Sequence, residues 1–275
     1  MGTALITGAS SGLGLEFAWQ LATAKHDLVL VARDEARLTD LAQQLHQVAG
    51  VDVEVLVADL SVLDEVERVA DRLRLGRLPE GDAPDAAAQA APAPGVLAPV
   101  GLLVNNAGHG LGQSFVGGDL AHELSALDVM VRAVMVLSHA AAGQMVSRGR
   151  GAIVNVSSVA ALLASGTYSA HKAWVRTFTE SLAVELRGTG VTTTVVAPGL
   201  TRTEFHERAA LDEDGLPDIA WLSAEQVVRQ TLDAARRGQV IVTPSWRYQL
   251  AAATVRALPR AVVRGVGRTG LQHRD

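Results

Sequence analysis

Residues 7–14 read Thr-Gly-Ala-Ser-Ser-Gly-Leu-Gly and join a short apolar run, Thr3–Thr7, to a helical pattern at 13–24. Glycines in such a turn let a phosphate group approach backbone N–H groups closely, and the N-terminus of the following helix adds its positive dipole end. This glycine-rich loop is therefore predicted to bind the pyrophosphate of a dinucleotide. The residues expected to contact the ligand are Gly8, Ser10, Ser11, Gly12, Leu13 and Gly14.

The rest of the chain repeats this alternation of short apolar runs and longer helical patterns. Short aliphatic strands separated by helices are typical of a parallel sheet that is covered on both faces. The sequence therefore predicts an α/β fold, a single-domain doubly wound parallel sheet with helices on both faces. The predicted strands are Thr3–Thr7, Leu28–Ala32, Val51–Ala58, Val100–Asn105, Ala152–Ser157, Val191–Ala197 and Val240–Thr243. The predicted helices are 13–24, 35–48, 62–75, 119–147, 168–188 and 223–237.

Composition divides the chain of 275 residues into three parts. Residues 1–245 carry the alternating pattern and are predicted to form one dinucleotide-binding and catalytic domain. Residues 79–99 interrupt this domain with five prolines among alanines, a composition that predicts a flexible surface insertion. Residues 246–275 are basic and amphipathic. Their arginines recur every four residues and predict one stripe on a helix, at Arg256, Arg260, Arg264 and Arg268.

Charge and cysteine content exclude several classes of function. The formal net charge is −5, which disfavours nucleic-acid binding, and the absence of cysteine excludes disulfides and thiolate chemistry. No signal peptide is evident at the N-terminus, and Asp128 and Arg132 interrupt the most apolar stretch, 124–142. We therefore expect a cytoplasmic protein without an integral membrane segment. The histidines show no metal-ligand spacing, so no metal site is predicted.

Further motifs fall where predicted strands end, at the edge at which doubly wound sheets bind ligands. They are Asn105-Asn106-Ala107-Gly108, Ser157-Ser158, Pro198-Gly199 and the helical segment Tyr168-Ser169-Ala170-His171-Lys172. Together with the glycine-rich loop, this set resembles the short-chain dehydrogenase/reductase family, which is marked by T-G-x-x-x-G-x-G, N-N-A-G and Y-x-x-x-K. The resemblance covers roughly residues 3–245 and implies a Rossmann fold with oxidoreductase activity.

Tyr168 and Lys172 are four residues apart, so on a helix they share one face. A nearby ammonium favours the phenolate, so we expect Lys172 to lower the pKa of Tyr168 and to make the pair a general acid/base. The resemblance implies that Tyr168 exchanges a proton with the carbonyl oxygen of the substrate. It also implies that Ser158 hydrogen-bonds the same oxygen and that Lys172 holds the nicotinamide ribose. Ser157 is expected to be a packed hydroxyl at the strand end.

Two departures from the family pattern are visible. Ser158 and Tyr168 are only ten residues apart, so the loop between them must be short. Aligned with the family's V-N-V pattern, residues 127–131 place Met130 where the family has an asparagine that positions a water next to the lysine. Methionine cannot reproduce that amide, which affects the expected proton relay but not the core of Ser158, Tyr168 and Lys172.

The resemblance also implies a cofactor. Arg33 follows the second strand where NADP-dependent members carry an arginine against the 2′-phosphate, and Ala32 stands where an aspartate would favour NAD. NADP (NADPH) is therefore the expected cofactor, and NAD is less favoured. Alternatively, Arg33 is a solvated charge on a loop. Asp34 is expected to point outward. The other residues that the resemblance places at the cofactor are Asp59, Leu60, Asn106, Ala107, Gly108, Pro198, Gly199 and Thr203.

The leading hypothesis is an NADP-dependent oxidoreductase that interconverts a small-molecule carbonyl and an alcohol and forms a homo-oligomer. A cofactor-sensing regulatory protein on the same fold is the alternative, and dehydratases and epimerases form a third class. The resemblance implies a substrate lid at 201–221, which contains Phe205, His206, Leu211 and Leu216. The basic C-terminal segment is expected to dock near this lid on its own domain or on a second subunit, with a solvated amphipathic helix packed on its own domain as the alternative.

Overall fold

The computed structural model describes residues 2–76, 97–203 and 218–271. Seven strands form one parallel sheet in the order β3-β2-β1-β4-β5-β6-β9, and β7 and β8 form a separate parallel pair. The predicted doubly wound α/β fold is confirmed. The strands of the sheet are β1 Thr3–Thr7, β2 Asp27–Ala32, β3 Val53–Val57, β4 Val100–Asn105, β5 Gly151–Val156, β6 Val191–Val196 and β9 Ile241–Val242. The short pair is β7 Thr201–Arg202 and β8 Leu222–Ser223.

Helices cover both faces of the sheet. They are α1 Gly12–Thr23, α2 Glu35–Ala49, α3 Leu63–Arg74, α4 Leu120–Leu127, α5 Ala133–Ser147, α6 Gly166–Glu185, α7 Ala224–Arg236, α8 Trp246–Ala257 and α9 Arg260–Leu271. Short 3₁₀ turns occupy Val159–Leu162 and Asp218–Ala220, and a π turn at Asp128–Arg132 joins α4 to α5.

Alternation along the strands separates the core into two layers. In β1, Ala4 and Ile6 pack with Phe17 of α1 on one face, whereas Leu5 packs with Leu137 of α5 on the other. Successive strand side chains point to opposite faces, so each strand contributes to both layers. This arrangement explains why every residue of β1 is buried.

The chain winds outward from the centre of the sheet in both directions. Strand β1 pairs in parallel with both β2 and β4, so the ends of β1 and β4 lie side by side. Ligands of doubly wound sheets bind at such a switch point, outside the carboxyl ends of the strands. The fold therefore places the glycine-rich loop beside residues 105–108.

The helical stretch Leu120–Ser147 is long and apolar enough to cross a membrane by length and composition alone. Of its most apolar window, 44% is buried within the protein, where α5 packs on α3, β4 and β5. Core helices of soluble proteins satisfy the same criterion, so a single stretch of this kind is weak evidence for a membrane span.

Near the C-terminus the prediction of one continuous arginine stripe is wrong. Leu258 is extended (ψ 141°), so α8 ends at Ala257 and α9 begins only at Arg260. The reason is Pro259, which restricts the preceding residue to extended conformations. Arg256 consequently lies on a different helix from Arg260 and Arg264.

Parts of two predicted segments lie outside the described residues. They are positions 79–96 of the predicted insertion and 204–217 of the predicted lid, including Phe205, His206, Leu211 and Leu216.

Candidate active site

A cleft of about 840 Å³ opens at the carboxyl edge of the sheet, at the switch point between β1 and β4. Residues from the glycine-rich loop, all the later motifs and the end of β2 line it together. Among the predicted site residues, those that line the cleft are Gly8, Ser10, Ser11, Gly12, Leu13, Arg33, Asp59, Leu60, Asn106, Ala107, Gly108, Ser158, Tyr168, Lys172, Pro198, Gly199 and Thr203.

Gly14 is the predicted site residue that does not line the cleft. A Cβ atom on Gly14 would lie 2.0 Å from the carbonyl oxygen of Gly8, so α1 packs against the loop only because this side chain is absent. Gly8 itself has a φ of +67°, which favours glycine. Gly14 therefore shapes the loop, and its predicted contact with the cofactor stays a prediction.

The end of β4 holds the glycine-rich loop in place. The backbone N–H groups of Asn106 and Ala107 donate to Thr7 Oγ1 at 3.0 and 3.1 Å, and Asn106 Nδ2 donates to the Thr7 carbonyl at 3.0 Å. The Asn106 amide nitrogen is thus used to fix the loop, while the residue still borders the cleft.

Ser158, Tyr168 and Lys172 meet on one wall of the cleft. Tyr168 is half-buried in this wall and hydrogen-bonded to Ser158. Lys172 Nζ lies 5.7 Å from the centroid of the Tyr168 ring and donates to the Val156 carbonyl at 2.9 Å. Ser157 is buried and donates to the Lys172 carbonyl at 2.7 Å, which confirms its predicted packing role.

A buried chain of polar side chains fixes α6, which carries Tyr168 and Lys172, to the sheet. Asn105 Nδ2 donates to Asn155 Oδ1 at 2.9 Å, and Asn155 Nδ2 donates to Thr179 Oγ1 of α6 at 2.9 Å. Asn105 Nδ2 also donates to Ser138 of α5 at 3.0 Å. Buried amides tolerate few alternative partners, so these bonds set the position of α6 against the strand ends.

The pKa values of the pair differ from the expectation drawn from the sequence. Burial raises the pKa of Tyr168 to about 12, although the hydrogen bond to Ser158 acts in the opposite direction. The expected lowering of this pKa by Lys172 is therefore wrong for the protein without ligand. Burial lowers the pKa of Lys172 to about 8. In both cases desolvation disfavours the charged form of the side chain.

Met130 lies directly behind this pair. It is fully buried in the π turn, and its Cγ is 3.3 Å from the position that a Cβ on Gly108 would take, with Lys172 Nζ 3.4 Å from the same position. An apolar side chain thus fills the space beside the lysine where the family has an asparagine. The lysine is instead bonded to a backbone carbonyl.

At the other end of the cleft, two arginines follow β2. Arg33 Nη1 lies 3.8 Å from Asp59, and 78% of the Arg33 side chain is exposed. Asp34, expected to point outward, caps α2 by accepting from the Arg37 N–H at 3.0 Å and also borders the cleft. Arg37, which no sequence motif marks, borders the cleft as well.

Asp59 is held in an ionised form. Burial acts to raise the pKa of Asp59, but hydrogen bonds from the N–H and Oγ of Ser61, together with Arg33, keep it below its usual range. The Ser61 groups donate at 2.9 and 2.7 Å to one carboxylate oxygen, Oδ1. The other oxygen, Oδ2, faces Arg33.

Several further residues of the cleft were not predicted from the sequence, among them His109 and Tyr248. His109 stacks on His122 with ring centroids 5.5 Å apart, and burial lowers its pKa. Tyr248 comes from α8, and no motif in the sequence marks it. Within the described residues, no group of three His, Cys, Asp or Glu side chains could hold a metal ion.

A doubly wound sheet with a glycine-rich loop at its switch point and a Tyr–Lys pair beside it defines a dinucleotide-binding oxidoreductase. The chain belongs to the short-chain dehydrogenase/reductase family. The family of short chain dehydrogenases matches residues 2–78 and 82–214.

Individual relatives cover most of the chain. Sulfoacetaldehyde reductase 2 of Chromohalobacter salexigens is 38% identical over 208 residues, which are 73% of this chain and 73% of the relative. A short-chain dehydrogenase from Sphingobium yanoikuyae, solved in complex with NADPH, has a TM-score of 0.78 at 33% identity and covers 93% of this chain and 94% of its own. A family member from Burkholderia phymatum, solved in complex with NAD, has a TM-score of 0.73 at 27% identity, with coverages of 93% and 92%.

Proposed function

We propose that this protein is an NADP(H)-dependent oxidoreductase that interconverts a small-molecule carbonyl and an alcohol, with Tyr168 as the general acid/base. The observation that carries the proposal is the wall formed by Ser158, Tyr168 and Lys172 in the same cleft as the glycine-rich loop. A catalytic acid and a dinucleotide loop in one cleft are what hydride transfer with protonation requires.

The cleft fits a dinucleotide. The approach of Gly14 to the Gly8 carbonyl leaves no room for a side chain between loop and helix, so the loop backbone borders the cleft together with the start of α1. Such a cradle would hold the pyrophosphate, with Asp59 and Leu60 at the adenine end and Pro198, Gly199 and Thr203 at the nicotinamide end. When bound, the reduced cofactor supplies a hydride to the carbonyl carbon.

The protein side chains complete the reaction by moving one proton. Tyr168, which its raised pKa keeps protonated at neutral pH, donates this proton from Oη to the carbonyl oxygen. Ser158 hydrogen-bonds the same oxygen, and the Lys172 ammonium stabilises the phenolate that remains. Reduction uses the protonated form of Tyr168, whereas oxidation needs the phenolate.

Preference for NADP is supported by the end of β2. Ala32 leaves no carboxylate at the last strand residue, while Arg33 and Arg37 both border the cleft. A guanidinium binds phosphate through charge-assisted hydrogen bonds, so two of them favour a 2′-phosphate over a 2′-hydroxyl. The two related structures do not decide the question alone, because one was solved with NADPH and the other with NAD.

A steady-state assay tests the proposal. NADPH or NADH is combined with a panel of carbonyls that includes sulfoacetaldehyde, named for the relative from Chromohalobacter salexigens, and uncharged aldehydes and ketones. We expect turnover with NADPH on at least one member and slower turnover with NADH. NADPH binding without any turnover would favour the sensor, the second candidate, which the replacement of the family asparagine by Met130 supports.

A further inference from the structure

Tyr248 lies in the first turns of α8 and reaches into the cleft from outside the family motifs. Its ring lies against Gly199. A Cβ on Gly199 would be 2.1 Å from Cζ of the ring and 2.3 Å from both Cε atoms. The φ angle of Gly199 is not positive, so its backbone conformation does not require glycine. The constraint that excludes a side chain at residue 199 is therefore steric. The ring fits only where residue 199 has no side chain.

The hydroxyl of Tyr248 joins two points that are far apart in the chain. It accepts a hydrogen bond from the Leu200 N–H at 3.1 Å and donates one to the Ala220 carbonyl at 2.8 Å. Leu200 directly precedes β7, and Ala220 lies two residues before β8. The phenol therefore sits at the base of the chain segment that leaves the cleft after Pro198 and returns at β8.

Other contacts at this base support the same geometry. The Leu222 N–H donates to the Leu200 carbonyl at 2.9 Å, next to the β7–β8 pair. Arg247, adjacent to Tyr248, donates to the Ile219 carbonyl at 3.0 Å. Helix α8 thus holds the chain before β8 through two consecutive side chains, Arg247 and Tyr248. Of these two, only Tyr248 also bonds to the outgoing chain, the residues 198–200 before β7.

The outgoing chain is connected to the proposed catalytic wall. The Val159 N–H, next to Ser158, donates to the Pro198 carbonyl at 3.0 Å. From Ser158 the connection runs through Pro198, Gly199 and Leu200 to Tyr248, and α8 also packs on the 3₁₀ turn at Val159–Leu162. Both sides of the substrate end of the cleft therefore depend on where α8 is docked.

We propose that Tyr248 is a positioning residue for substrate binding, an inference that rests on the proposed function. Its ring lies against Gly199 and so sets where residues 198–200 lie beside Ser158, and its hydroxyl holds Leu200 and Ala220 together. Removing the hydroxyl lets residues 198–200 move. This movement weakens binding of the carbonyl substrate, while the proton donor at Tyr168 stays in place.

The test compares Tyr248→Phe with Gln249→Ala in the full-length protein. Gln249 is a matched control on the same helix, because its side chain donates to the Thr243 carbonyl at 3.0 Å, away from the cleft. Loss of hydrogen bonds worth about a decade in affinity predicts a KM about tenfold higher for the carbonyl in Tyr248→Phe, with kcat nearly unchanged. The control should keep the wild-type KM.

Hydrogen exchange provides a measurement that does not depend on turnover. In Tyr248→Phe the Leu200 amide loses its acceptor, so its exchange should be faster than in the wild type and in Gln249→Ala. A second variant tests the ring: Gly199→Ala should lower the thermal midpoint in the wild type but much less in a Tyr248→Ala background, where the clash is absent.

Each outcome of these experiments tests one part of the proposal. Unchanged KM or unchanged Leu200 exchange in Tyr248→Phe overturns the positioning role in an enzyme that otherwise works. An equal loss of thermal midpoint from Gly199→Ala in both backgrounds overturns the steric part. A wild type that reduces no carbonyl with NADPH overturns the proposed function instead, and the positioning role with it.

Discussion

At the scale of single residues, the environment of Tyr168 determines what the site can do. Desolvation keeps the phenol protonated against the opposing effect of the hydrogen bond to Ser158, and a lysine 5.7 Å from the ring centroid supplies the nearby positive charge. The sequence correctly brings these side chains together through spacing. The sequence does not give the net effect of burial and charge on the pKa of Tyr168, because that effect depends on how the surrounding elements pack.

Tyr168→Phe tests the proton donor. We expect kcat for carbonyl reduction to fall by roughly 10²–10⁴-fold, the usual effect of losing general acid catalysis. NADPH affinity should change little, because the ring remains and only the hydroxyl is lost. Stopped-flow turnover and fluorescence titration of NADPH measure the two quantities. Near-wild-type turnover in this variant would rule out Tyr168 as the acid.

Lys172 predicts a dependence of stability on pH. Its pKa is about 8 in the folded protein against an ordinary value of 10.5, so the unfolded chain binds more protons between these pH values. The contribution of Lys172 to the free energy of unfolding therefore increases as the pH rises from 8 to 10.5. Below pH 8 the buried ammonium costs roughly 2–4 kcal/mol.

Lys172→Met isolates this effect. The variant should be more stable than the wild type at pH 7, and the difference in the free energy of unfolding should shrink as pH approaches 10.5. Urea unfolding of both proteins at several pH values measures it. Lys25→Met is the matched control, because Lys25 is exposed and also donates to a backbone carbonyl, that of Ala49. A difference that stays constant with pH would contradict the burial of a charged Lys172.

Arg33 tests cofactor preference. Arg33→Ala should weaken NADPH binding about tenfold and NADH binding much less, because a phosphate contact is lost only with the first cofactor. Arg37 also borders the cleft, so the double variant Arg33→Ala/Arg37→Ala should lose more discrimination than either single variant. Isothermal titration with both cofactors gives the ratio. Equal losses for NADPH and NADH would remove Arg33 from the phosphate site.

At the scale of secondary-structure elements, apolar patterning predicts position well and boundaries less well. Thr3–Thr7 and Val100–Asn105 are observed as predicted, but the strand predicted at Val51–Ala58 is only Val53–Val57. Val51 and Ala58 are buried although they lie outside that strand. Apolarity reports burial, whereas the ends of a strand are set by its hydrogen bonds, so the two need not coincide.

Features that depend on long-range contacts lie beyond such patterns. The spacing of 119–147 predicts one helix, but a π turn interrupts it at Asp128–Arg132. Motifs at strand ends identify most of the cleft because parallel topology gathers strand ends at one edge. Tyr248 is missed because its partner Leu200 is 48 positions away and no periodicity connects them.

At the scale of the whole molecule, the C-terminal helices pack on the domain beside the cleft, which α8 borders through Tyr248. Ala252 of α8 and Val263 of α9 are buried, and Arg260 donates to the Leu162 carbonyl beside the turn that follows Ser158. These contacts agree with docking of the segment on its own domain. The homo-oligomer stays a prediction, which exposed apolar side chains on α4 and α5 support, including Leu120, Leu124 and Met135.

Two truncations separate the contributions of these helices. A chain that ends at Ser245 loses Tyr248 and exposes the surface under Ala252, so we expect a lower thermal midpoint, a higher KM for the carbonyl and a changed sedimentation coefficient. A chain that ends at Ala257 keeps α8 and should retain the KM more closely, because the contacts with Leu200 and Ala220 survive. Thermal unfolding, kinetics and sedimentation velocity of both chains and the full-length protein measure these effects. Identical behaviour of all three would show that residues 246–275 contribute nothing to the site, since removal of Tyr248 would then leave substrate binding intact.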